Sequence, residues 1–111
     1  APAGVRNGAR ARLDFDALIY DLKDPEAQGV VVDISEEGVG LTGIEAEVDE
    51  MKTLVVLGDP YGEIEPFEFR ARCRWTRKDN GNWLTGFQIT GITEEHRREF
   101  RKLMELVSIG E

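Results

Sequence analysis

The chain has 111 residues and a mass of 12.5 kDa, with 41% hydrophobic and 32% charged residues, a formal net charge of -8 and a pI of about 4.7. That is room for one hydrophobic core, and no apolar stretch approaches the ~20 residues that a membrane-spanning helix needs. So acidic a chain is a poor general binder of DNA, whose phosphates are neutralised by Lys and Arg, and a poor polybasic membrane anchor.

The charge is unevenly spread. Residues 1–66 carry five basic and fifteen acidic side chains, residues 67–111 nine basic and seven acidic. Within the acidic part, the first thirteen residues hold Arg6, Arg10 and Arg12 and no acid. Residues 11–21 then alternate as a strand, with Leu13, Phe15, Ala17 and Ile19 on one side and Asp14, Asp16 and Leu18 on the other. Asp24-Pro25-Glu26 reads as a turn, and Gly29 to Ile34 as a Val-rich strand. Gly38 and Gly40 punctuate a short run through Leu41, and residues 51–58 form another strand closed by Asp59-Pro60.

Residues 67–76 alternate cleanly. Phe67, Phe69, Ala71, Cys73 and Trp75 are predicted inward, and Glu68, Arg70, Arg72, Arg74 and Thr76 outward. Asp79-Asn80-Gly81-Asn82 predicts a tight hairpin to a partner strand over Trp83–Thr90, with Phe87 and Ile89 inward. Thr93 is a helix N-cap followed by Glu94 and Glu95, which suit the positive end of the helix dipole. Phe100, Leu103, Met104 and Val107 give the buried stripe of a helix over about 94–108, and Gly110 its stop. Short strands and one terminal helix predict a small β-barrel with the helix against one opening.

Two stretches carry chemistry. Arg6-Asn7-Gly8-Ala9-Arg10 places two guanidinium groups four residues apart, able to make paired hydrogen bonds to phosphate or to the O6/N7 edge of guanine. On its own it also reads as a solvated basic arm. Asp33-Ile34-Ser35-Glu36-Glu37-Gly38 ends a strand with a carboxylate acceptor, a hydroxyl donor and a glycine that lets backbone approach a ligand. On its own it also reads as an ordinary turn.

Together, Arg-xxx-Arg ahead of one strand and Asp-x-Ser-x-x-Gly at the end of the next resemble the PilZ domain family, bacterial receptors for the second messenger cyclic di-GMP. The resemblance extends to Val39-Gly40-Leu41, Trp75, Gly86-Phe87-Gln88-Ile89 and the closing amphipathic helix, from Arg6 to about Val107. It implies a mainly β fold, a six-stranded antiparallel β-barrel with a C-terminal α-helix. Residues 1–10 would be a flexible arm and 11–111 one barrel domain. It implies that Arg6 and Arg10 grip guanine and phosphate while Asp33, Ser35 and Gly38 line the barrel surface beneath. The arm would order over the nucleotide and change the surface offered to a downstream protein partner. The implied setting is cytoplasmic, in bacterial motility, biofilm or exopolysaccharide control. Val5 stands where some family members carry another arginine, which favours one ligand per site over a stacked pair. The alternative from another class is a PilZ-like adaptor that binds no nucleotide and acts by protein contact in motility or pilus assembly. The acids Glu36 and Glu37, at the variable positions of the second motif, favour it.

Other residues read as structural. One cysteine, Cys73, allows no internal disulfide and sits on the apolar face of its strand; that suits a reducing cytosol. One histidine, His96, has no recognisable nucleophile or orienting acid beside it, so neither catalysis nor a metal site is expected. Arg70, Arg72 and Arg74 are expected on a solvated face, balanced by acids across the sheet, with an extra anion or partner surface as the lesser alternative. Trp75 and Trp83 are expected to pack as a cross-strand or core pair, with stacking on a ligand base as the lesser alternative.

Overall fold

A computed structural model of the chain describes residues 17–59 and 62–108. Six strands, β1 (Leu18–Asp21), β2 (Asp24–Ser35), β3 (Gly38–Thr42), β4 (Met51–Val56), β5 (Phe67–Asp79) and β6 (Asn82–Gly91), precede one helix, α1 (Glu94–Ser108). The strands close into an antiparallel barrel in the order β1-β2-β3-β6-β5-β4. The predicted barrel and the predicted helix are both present. Leu13, Phe15 and the rest of the first predicted strand up to residue 16 lie outside the described residues, as do Arg6 and Arg10.

Local chemistry sets the elements. Asn80 and Gly81 take positive φ values of 54° and 83°, which gives the two-residue turn whose twist matches a hairpin. Thr93 caps α1 as predicted, its Oγ1 accepting from His96 N–H at 3.1 Å. The turn expected at Asp24-Pro25-Glu26 falls earlier, at Leu22-Lys23. Asp21 pairs with Asp24, and its carboxylate accepts from Lys23 N–H at 3.0 Å, so Asp21 is the turn-forming acid. Pro25 stands near the start of β2, where a missing N–H is tolerated.

The barrel interior is filled by alternating side chains of the strands. Phe67, Phe69 and Phe100 form its largest cluster, with ring centroids 5.8–6.2 Å apart and Phe100 edge-on to both others. Phe100 and Leu103 therefore anchor α1 over the barrel against β5 and β2. Met104, predicted in the buried stripe, is half-buried. Cys73 is fully buried, and burial pushes its thiol pKa up. His96 is half-buried, its Nδ1 3.4 Å from Glu68 N and 3.2 Å from Glu68 O.

Lys52 joins a buried acid and an exposed one at the wall. Lys52 Nζ lies 2.8 Å from Asp21 Oδ2 and 3.1 Å from Glu50 Oε2. The Glu50 carboxyl is held below its ordinary value of 4.5, first by Glu47 N–H and then, against the opposing effect of burial, by Lys52. Glu99 is lowered in the same way, first by Glu65 N–H.

Two outcomes follow. Phe100→Ala lowers unfolding free energy by about 3–5 kcal/mol in urea denaturation, because the cavity lies in the centre of the aromatic cluster. Lowered carboxyl pKa values give stability that is present above about pH 4.5 and is lost as pH falls through the depressed values. The urea midpoint should drop in that window for the wild type and drop less for Glu50→Gln/Glu99→Gln.

Candidate functional site

The β2–β3 hairpin brings the second motif together. Ser35 pairs with Gly38, and Glu36-Glu37 form the turn between them. The Ser35 Oγ accepts from Glu37 N–H at 3.3 Å, which sets the turn and leaves the hydroxyl proton to donate elsewhere. Glu37 O accepts from Ile89 N–H at 2.8 Å, tying the turn to β6. A Cβ at Gly38 would run into the carbonyl of Phe87, so only glycine lets β3 meet β6 at this point.

Asp33, Ser35 and Gly38 line one open cleft of about 370 Å³, shared with Glu37, Arg74, Trp75 and Gln88. Its shape follows from the strand pairing. Asp33 lies opposite Gly40, Gly40 opposite Gly86, and Gly86 opposite Trp75, a single row across β2, β3, β6 and β5. The two middle positions have no side chains. A Cβ on Gly40 would stand 3.2 Å from Asp33 Cβ, and one on Gly86 would collide with the Trp75 indole. The result is a trough in which Gly40 leaves the floor bare, with the Asp33 carboxylate at one end and the Trp75 indole lying over Gly86 toward the other. Strands about 4.8 Å apart put the backbones of Asp33 and Trp75 three spacings, or about 14 Å, from each other.

Trp75 departs from the sequence expectation. It is 46% exposed, although alternation placed it inward with Cys73. The register of β5 against β6 shifts between Cys73 and Trp75, a β-bulge with Arg74 as the extra residue. Arg74 and Trp75 therefore follow each other on the outside of the barrel. Nor do the tryptophans pair. Trp75 lies against Gly86 with the Arg77 guanidinium 5.7 Å from its ring, and Trp83 lies opposite Lys78, whose Nζ is 5.3 Å from its ring.

Arg74 is the cation of the trough. Its Nη1 donates to Gln88 Oε1 at 2.9 Å, which orients the guanidinium without neutralising it. The expected balance of the arginine stripe by acids is not found: among the described residues, no carboxylate lies within 4.0 Å of the Arg70, Arg72 or Arg74 guanidinium groups. Sequence reasoning did not select Arg74, Gln88, Gly40 or Gly86 for the site. Asp33, Ser35 and Gly38 it did select, and they are brought together. Arg6, Arg10 and Val5 lie outside the described residues. Among the described residues, no cluster of His, Cys, Asp and Glu able to hold a metal occurs, and no helix is long and apolar enough to cross a membrane.

Acceptor, donors, one guanidinium, two carboxylates (Asp33 and Glu37) and an aromatic ring share one open face, a surface suited to a flat, polar ligand. The family model of the PilZ domain matches residues 5–106. Among solved structures, the Bacillus subtilis inhibitor of motility, MotI/DgrA, is similar with a TM-score of 0.57 and 16% sequence identity. The match covers 87% of this chain and 53% of that one, so this chain spans about half its length, and the likeness is one of fold. No curated protein sequence matches.

The glycine floor can be tested without a ligand. Gly86→Ala forces the indole of Trp75 off the strand, and an exposed ring can swing into solvent. In a Trp83→Phe background, tryptophan emission should shift to the red while unfolding free energy changes by less than about 1 kcal/mol.

Proposed function

The chain belongs to the PilZ domain family, and on that premise we propose that it is a non-enzymatic receptor for cyclic di-GMP, held between Arg6 and Arg10 and the trough of Asp33, Ser35 and Gly38. The observation that carries this reading is the row Asp33–Gly40–Gly86–Trp75, which sets the second motif beside a bare Gly40 and an indole laid over Gly86.

Each group has work that matches the nucleotide. The Asp33 carboxylate accepts from guanine N1–H and N2–H₂. The Ser35 hydroxyl donates to a phosphate or a base edge. A guanidinium from Arg6 or Arg10 addresses O6 and N7 or a phosphate, and the Trp75 ring offers a flat apolar surface to a base. Arg74 adds positive charge beside a dianion, so a chain of net charge -8 can receive it locally.

The arm is within reach. Ala17 O accepts from Val31 N–H at 3.0 Å, so the chain enters β1 alongside β2, two residues short of Asp33. The seven residues from Arg10 to Ala17 extend up to about 24 Å, enough to cross the trough. Binding fixes the Arg6–Arg10 segment over the ligand and so alters the surface presented to a partner protein. Control of motility, biofilm or exopolysaccharide is the output this reading assigns, with one ligand per site.

Isothermal titration calorimetry tests it. The wild type should bind cyclic di-GMP saturably with one ligand per chain and give no heat with GMP. Arg10→Ala and Asp33→Ala should each weaken binding about 10- to 100-fold, the loss of hydrogen bonds to charged groups at about 1.5–3 kcal/mol. Two ligands per chain would refute the single-ligand reading. No binding at high ligand concentration by a folded protein would overturn the receptor and leave the adaptor.

A further inference from the structure

The outer face of β5 holds Arg70, Arg72 and Arg74, all exposed. Glu68 precedes Arg70 on the same face, but among the described residues no carboxylate reaches within 4.0 Å of the three guanidinium groups, and their cross-strand neighbours supply none. Arg70 lies between Thr53 of β4 and Gly91 of β6, and Arg72 between Met51 and Gln88. None of the four can pair with a guanidinium ion to ion. The apolar residues beside the stripe are open to solvent as well. Met51 is 49% exposed. The segment carrying Val48, itself 55% exposed, is held to Cys73 through Asp49 N–H and Glu50 O at 2.7 and 2.9 Å.

We propose that this face docks an extended acidic segment of a partner protein, with carboxylates at alternate positions and an apolar residue among them. Outward residues of a regular strand recur about every 7 Å, which is also the spacing of alternate side chains in an extended segment, so two alternate carboxylates meet Arg70 and Arg72, while Arg74, the extra residue of the bulge, belongs to the trough. Arginine binds carboxylate in a two-pronged geometry, and Arg and Met are favoured in the cores of interfaces. Met51 supplies the apolar contact. A short acidic segment needs about 14 Å of surface and touches the basic stripe alone. A long polyanion would extend over the acidic remainder of the molecule, and between Arg70 and Arg72 the stripe has no aromatic ring for stacking bases. Arg70 and Arg72 lie outside the lining of the nucleotide trough, so the docking face stands whether or not the trough takes cyclic di-GMP.

The probe is a fluorescein-labelled 12-residue peptide alternating Glu and Thr around a central Leu, followed by fluorescence anisotropy at low and moderate salt. The wild type should bind it saturably, more weakly as salt rises, and should ignore the same peptide with Lys for Glu. Arg70→Gln/Arg72→Gln, or Arg72→Gln alone if the double variant unfolds at a lower temperature than the wild type, should weaken binding; the double variant by about fivefold or more, as two ion pairs are lost. Absence of saturable binding at low salt, or equal binding by the variants, would overturn the proposal. So would tighter binding of a single-stranded oligothymidylate of equal length, which would mark a general polyanion surface. Concentration-dependent self-association of the wild type, abolished in the variants, would assign the face to a second copy of the chain and also overturn it.

Discussion

Backbone hydrogen bonds on both edges of the four residues Leu18–Asp21 join β2 to β4, and the barrel is closed only through them. Without that short strand, β2 and β4 would each expose a row of unpaired N–H and C=O groups, an edge open to association with other chains. Closure also fixes the interior volume that Phe67, Phe69 and Phe100 fill, and so where α1 can seat. It also fixes Ala17 beside Val31, two residues from Asp33 along β2. Asp21 serves this closure twice, through its turn at Lys23 and its ion pair with Lys52. A charge taken this far from water is tolerated because each oxygen has a donor.

The trough is layered on that frame by two local departures from regular sheet. Glycines at positions 40 and 86 remove side chains from the middle of a four-strand row. One extra residue, Arg74, shifts the phase of β5 so that a cation and an aromatic ring emerge consecutively on the same side. A regular pleat sends successive side chains to opposite faces, and neither neighbour alone would complete the wall. Because both departures leave the inward positions Ala71, Cys73 and Phe87 in place, the core bears little of their cost.

Much of this was legible in the amino-acid order. The alternation from Phe67 to Cys73, the Asn80-Gly81 turn and the Thr93 cap are local signals, and each produced the expected element. Asp33, Ser35 and Gly38 were legible as a motif because a single hairpin brings them together. What could not be read depends on which strands become neighbours. Trp75 was assigned inward because a bulge exists only in relation to a partner strand. Gly40 and Gly86 form a floor only because β3 lies beside β6, a pairing that spans some forty-five residues of sequence. The arginine stripe was expected to face acids in so acidic a chain, yet the register places Met51, Thr53, Gln88 and Gly91 beside it. The turn before β2 was misplaced because Pro25 is a strong turn residue, while the pairing of Asp21 with Asp24 put Leu22 and Lys23 at the bend.

The row from Asp33 to Trp75 gives the trough a built-in gauge. Its width from backbone to backbone is a whole number of strand spacings, set by hydrogen bonds, while the lean of the indole over Gly86 is set by its rotamer. With Glu37 tied to Ile89, the hairpin at its mouth is held to that measure. Substitutions on the walls can therefore exchange one chemical preference for another while the width stays constant. Changing the width itself would require adding or removing a strand, a step that would reopen the barrel.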